Sequence, residues 1–136
     1  MKTLFENQAN TTATVDATHT FLEAPENIAR WAYDVVKMVP ENALKFRIVR
    51  PEPTFNGQEI LTVHSGANAV SYVVTGEMLD YTIVFGLSAL TDGTQITERV
   101  EAENLGKLSL PLKFMTPIMQ REFQKNLTML VALLGK

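Results

Sequence analysis

A chain of 136 residues with 46% hydrophobic and 20% charged content is long enough for one domain with a sizeable core and too apolar to be disordered. Its formal charge of −3 argues against nucleic acid as the main partner, because that binding rests on Lys and Arg neutralising phosphates. The absence of cysteine excludes disulfides, thiolate nucleophiles and cysteine-based zinc sites, and two histidines form no ligand cluster, so no metal and no cofactor is expected.

The opening "MKTLFENQAN" reads as a polar arm over residues 1–10, or as an extension of the first strand, with the folded domain spanning 11–136. It lacks the apolar core of a signal peptide, and nowhere does the chain approach the roughly 18 apolar residues of a membrane span. The expectation is a cytoplasmic protein without integral membrane association. "TATVDATHTFL" then alternates, with Ala13, Val15, Ala17, His19 and Phe21 on one side, which predicts a half-buried strand. Pro25 and Glu26 suit the first turn of a helix, and Ile28, Trp31, Ala32 and Val35 follow at helical spacing. Pro40 bounds that helical region, with a break expected near Asp34.

From Ala43 short β-like runs are separated by turn signals: "LKFRIV", "QEILTVHS", "AVSYVV", "YTIVFGLSAL" and "TQITERVEAE". Gly57, Gly66 and Gly93 stand where a turn needs positive φ, whereas Gly76 and Gly86 lie inside or beside strand pattern and are expected to bend the sheet. In the last segment Leu112, Met115, Met119, Phe123, Leu127, Leu130 and Leu134 recur every three or four residues. They predict an amphipathic helix of about 25 residues, on the order of 37 Å long, with Pro117 kinking or restarting it. A helix that long needs a broad concave partner.

Three stretches in this order carry a resemblance to a known superfamily: "FLEAPENIARWAYD", "DGTQITERVEAE" and "LGKLSLPLKFMTPIMQREFQKNLTMLVALL". Together they resemble the START-like (SRPBCC) superfamily, which includes birch-pollen-allergen-like and polyketide cyclase/dehydrase-like proteins, over roughly residues 11 to 134. The resemblance implies an α+β helix-grip fold, in which a curved antiparallel sheet of six to seven strands wraps around a long C-terminal helix. Six strands are read directly, and the seventh that this fold implies is expected as a short strand around Thr75 to Asp80. The resemblance also implies an apolar cavity between sheet and helix that binds a lipid, sterol or polyketide-like molecule, or catalyses cyclisation or dehydration of one.

His19 and Glu98 both fall on inward faces of their expected strands, and the superfamily pairs its first and last strands. A carboxylate beside an imidazole raises its pKa and orients its tautomer, a general-base arrangement; the alternatives are a structural hydrogen bond or a register that leaves both in solvent. Tyr72 and Tyr81 are expected to line the cavity or to pack with a wet hydroxyl, and Phe85 to form wall or core. Trp31 reads as core. Phe114, Met115, Met119 and Phe123 are candidate ligand contacts on the last helix, methionine being adaptable to varied apolar shapes. His64 reads as an exposed loop-edge residue. No nucleophile elbow, phosphate-cradling loop or dinucleotide fingerprint is present. A small apolar ligand is the expected partner of a monomer or dimer; an exposed apolar patch over a filled core would point instead to a protein-interaction module.

Overall fold

The computed structural model describes residues 2–32, 35, 37–42, 45–50, 57–102 and 112–136. The chain enters as strand β1 (Lys2–Thr11) and turns directly into helix α1 (Val15–Glu23). A 3-10 turn at Pro25–Asn27 leads to the single-turn helix α2 (Ile28–Trp31). Six further strands follow: β2 (Lys37–Pro40), β3 (Lys45–Val49), β4 (Gln58–Gly66), β5 (Ala69–Gly76), β6 (Tyr81–Leu90) and β7 (Gly93–Ala102). Helix α3 (Leu112–Leu134) closes the chain.

All strands pair antiparallel in one curved sheet of order β1-β7-β6-β5-β4-β3-β2, wrapped around α3. The seven strands match the count that the resemblance implied, but two of them are not where the sequence suggested. Residues 2–10 are no arm. They form an edge strand paired with β7 through Asn7↔Glu98 and Ala9↔Ile96. The alternation is hidden because two of its inward positions, Asn7 and Thr11, are polar; both are buried and hydrogen-bonded. The other unexpected strand is β2. Pro40 lies within it rather than ending a helix, and it is tolerated there because β2 is the opposite edge of the sheet. No separate strand lies at Thr75–Asp80: β5 takes in Thr75 and ends at Gly76, whose N–H donates to Asp80 Oδ1 at 3.1 Å across a turn.

The stretch read as a first strand is α1. Thr14 accepts a hydrogen bond from the Ala17 N–H at 3.1 Å as N-cap, and Asp16 sits in the first turn, where the helix dipole favours a negative charge. Thr18 and Leu22, four apart, are the buried pair. Ala24, forced extended by Pro25, separates α1 from the 3-10 turn. The free carbonyls at the end of α1 find side-chain donors: Asn27 donates to Phe21 O at 3.1 Å and the Tyr72 hydroxyl to Leu22 O at 2.7 Å. The break expected near Asp34 lies outside the described residues.

Helix α3 runs as the periodicity indicates, with Met115, Met119, Leu127 and Leu130 buried and Pro117 inside the helix on an exposed position. Its course is fixed mainly by β1. Asn7 Nδ2 donates to Gln120 O, Gln120 Nε2 to Glu6 O (3.2 Å each), and Thr11 Oγ1 to Val131 O at 3.3 Å. Phe123 packs edge-on against Phe5 and Tyr81, with ring centroids 5.4 and 6.1 Å apart.

The glycines differ from expectation in their physical role. Gly93 is not in a positive-φ conformation; a Cβ there would stand 1.9 Å from the Thr11 carbonyl oxygen, so close approach of β1 excludes a side chain. Gly66 likewise has no positive φ, and the space above Gly86 is open.

Candidate functional site

Between the concave face of the sheet and the helices lies a cavity of about 40 Å³. Period-two alternation aims its strand residues inward: Ile48 from β3, Leu61 from β4, Tyr72 and Val74 from β5, Tyr81 and Ile83 from β6, and Glu98 from β7. Arg50, just past β3, also reaches it. Ile28 and Trp31 of α2, with Ala32, close one side, and Phe123 and Asn126 of α3 form the roof. Most of the wall is apolar.

The polar groups in this wall fall into three kinds. Arg50 and Tyr81 form a network with Glu59: Arg50 Nε donates to Glu59 Oε1 at 2.7 Å, Tyr81 Oη to Glu59 Oε2 at 2.8 Å, and Arg50 Nη2 to Tyr81 Oη at 3.3 Å. Burial and the neighbouring Glu59 carboxylate push the Tyr81 phenol well above its ordinary range, so it stays a neutral donor. Tyr72 is likewise raised by burial, with its hydroxyl committed to the end of α1. Both tyrosine hydroxyls are therefore committed within the protein.

Glu98 is the second kind. It is 1% exposed, beside Phe85 and opposite Asn7, whose Nδ2 donates to Glu98 Oε1 at 3.1 Å. Burial raises its carboxyl to about 7; the Asn7 amide pulls the other way but less. A carboxyl at that value is part protonated at neutral pH and can either donate or accept. The third kind is unpartnered. Trp31 Nε1 and Asn126 Oδ1 are buried without a hydrogen-bond partner among the described residues, and their residues are only 5% and 9% exposed.

His19 is not in this cavity, and the expected pairing with Glu98 does not form. The pairing assumed that His19 sits on a strand; on α1 it faces the β4–β5 hairpin instead. There His19 Nδ1 meets Glu23 Oε1 at 2.9 Å and Nε2 meets Gly66 O at 2.7 Å, while the Ser65 hydroxyl donates to Glu23 Oε2 at 2.6 Å. The Gly66 carbonyl, followed by Glu23, raises the His19 pKa. Serine, histidine and a carboxylate meet here, yet the serine proton is turned to the carboxylate. His64 is exposed on β4.

Among the other candidates, Tyr72, Tyr81 and Phe123 line the cavity. Phe85 shares the inward face of β6 with Ile83 but is not among the lining residues, packing edge-on to Tyr72 and Trp31 at 5.2 and 6.2 Å, and Met115 and Met119 are buried elsewhere on α3. Phe114 points outward, 61% exposed. Sequence reasoning missed Arg50 and Asn126. Asn126 carried a usable signal, one helical turn beyond Phe123 and adjacent to buried Leu127. Nothing local marked Arg50. Among the described residues no group of acidic or histidine side chains is arranged to hold a metal ion, and no helix is long and apolar enough to cross a membrane.

No family model matches the chain, and no curated protein matches it in sequence. Solved structures do match in fold. A START superfamily protein from Mycobacterium smegmatis superposes with TM-score 0.70 at 14% identity, covering 96% of this chain and 97% of that one. A STAR-related lipid transfer protein from Xanthomonas axonopodis gives 0.65 at 14% identity, covering 96% and 85%. The di-domain ARO/CYC StfQ from the steffimycin biosynthetic pathway gives 0.69 at 17% identity over 94% of this chain and 49% of that one. The chain therefore has the START-like (SRPBCC) helix-grip fold.

Proposed function

We propose that this protein binds a small hydrophobic molecule between the sheet and α3, for carriage or presentation. The observation that carries the reading is the cavity itself: an apolar enclosure kept under a closing helix, where close packing is the rule for protein interiors. The superposition on a lipid transfer protein supports it. At about 40 Å³ the space is well below the roughly 300–1,000 Å³ of drug-sized ligand sites. A lipid, sterol or polyketide-like occupant requires the wall to yield.

The test is native mass spectrometry of the purified chain together with saturable binding of the apolar dye ANS, repeated on Ile83→Trp, which fills the cavity. Wild type is expected to carry an apolar molecule or bind one dye, and the variant to bind at least about ten-fold more weakly while keeping its circular dichroism. A wild-type protein that carries nothing and binds no dye, or a variant that binds as well, would contradict the reading.

Glu98 favours a second reading, an enzyme acting on the same class of molecule, as a cyclase or dehydratase would. A carboxyl near neutrality inside an apolar cavity can move a proton on a bound molecule without His19. Similarity to an ARO/CYC protein supports it. On this reading Glu98→Gln abolishes turnover of an aromatic-precursor polyketide while leaving its binding intact.

A further inference from the structure

Two buried polar atoms on residues that line the cavity have no partner among the described residues, and they are of opposite kind. Trp31 Nε1 is a donor only, and Asn126 Oδ1 is an acceptor. Both belong to residues that line the same cavity and are more than nine-tenths buried, on helices that pack together. Buried polar groups left unpaired cost free energy, and native structures hold few of them. The other polar groups of the wall are engaged: Arg50 and Tyr81 with Glu59, Tyr72 with Leu22 O, Glu98 with Asn7.

We propose that Trp31 and Asn126 form a recognition pair for the hydroxyl end of a neutral apolar alcohol. This rests on the cavity-binding reading above and narrows its ligand class. The indole N–H donates to the hydroxyl oxygen, and the hydroxyl hydrogen is donated to Asn126 Oδ1. A hydroxyl is the smallest organic group that accepts and donates at once, which suits a space of about 40 Å³. A ketone satisfies only the indole. A carboxylate also satisfies only the indole, and it brings a negative charge into the cavity that Glu98 shares, while the one cationic wall residue among the described residues, Arg50, is already paired with Glu59.

Trp31 is the single tryptophan of the chain, so its indole N–H gives one assignable proton resonance. The full-length chain is titrated with 1-octanol, 2-octanone and octanoate, following that resonance and measuring each Kd. The alcohol is expected to move the indole proton downfield and to bind roughly five-fold tighter than the ketone, the worth of one hydrogen bond, with octanoate weakest. In Asn126→Leu the alcohol and ketone become equal. Should that variant fail to fold, the wild-type alcohol-to-ketone ratio and the indole shift still decide. Equal affinities in wild type, tightest binding of octanoate, or binding that leaves the indole resonance unmoved overturns the pair but leaves the cavity reading standing. If none of the three binds, the cavity reading fails with it.

Discussion

Glu98 and Asn7 face each other across β7 and β1, and the pair shows how one residue can couple folding to pH. Unfolded, the carboxyl has its ordinary value of 4.5; folded, burial raises it to about 7. The folded state therefore holds the extra proton between those values, so stability falls as pH rises from about 4.5 to about 7 and stays lower above. Glu98→Gln, which cannot ionise, is predicted to remove that fall and to exceed wild type at pH 8 by about 2–3 kcal/mol in urea denaturation. Equal slopes in the two proteins would contradict the assignment. The two strand glycines give a sharper contrast. Gly93→Ala places a carbon against the Thr11 backbone and is expected to cost about 2 kcal/mol or more, because backbone cannot step aside as a side chain can. Gly86→Ala meets open space and should be neutral or stabilising by about 0.5 kcal/mol. The same urea titration measures both.

At the level of elements, α1 is held to the β4–β5 hairpin by the His19, Glu23, Ser65 and Gly66 cluster. His19, with its pKa raised first by the Gly66 carbonyl, contributes stability that is fully present below its unfolded value of 6.5 and is lost as pH rises through its folded value. His19→Gln should therefore lower Tm more at pH 5.5 than at pH 8; an equal drop at both would assign the residue a packing role alone. This helix is also where the sequence misleads. Thr, Val and Ala alternate over residues 13–18, and β-branched residues favour strands, but the Thr14 cap, Asp16 in the first turn and the Thr18–Leu22 spacing are the helical signals that prevail. Strand β1 fails to register for a different reason: Asn7 and Thr11 face inward because partners distant in sequence, Glu98 and Val131, satisfy them. By contrast β3 to β7 and α3 carry their patterns locally and were legible within a residue or two. The cavity wall was only partly legible. Tyr72, Tyr81, Glu98 and Phe123 show in the periodicity, and Asn126 follows Phe123 by one helical turn, but Arg50 joins the wall through tertiary placement alone.

For the whole molecule, the decisive feature is that the sheet and α3 face each other without filling the space between them. The outer face of α3 also bears apolar side chains, with Phe114, Ile118 and Met129 61, 56 and 52% exposed, so an apolar molecule has two places to go. The direct measurement is intermolecular NOE contact between bound 1-octanol and the methyl groups of the selectively labelled protein. Contacts are predicted to Ile48, Leu61, Val74 and Ile83, the methyl-bearing residues of the strand wall. Contacts confined to Ile118 and Met129 would place the molecule on the outside of the helix and contradict an interior site.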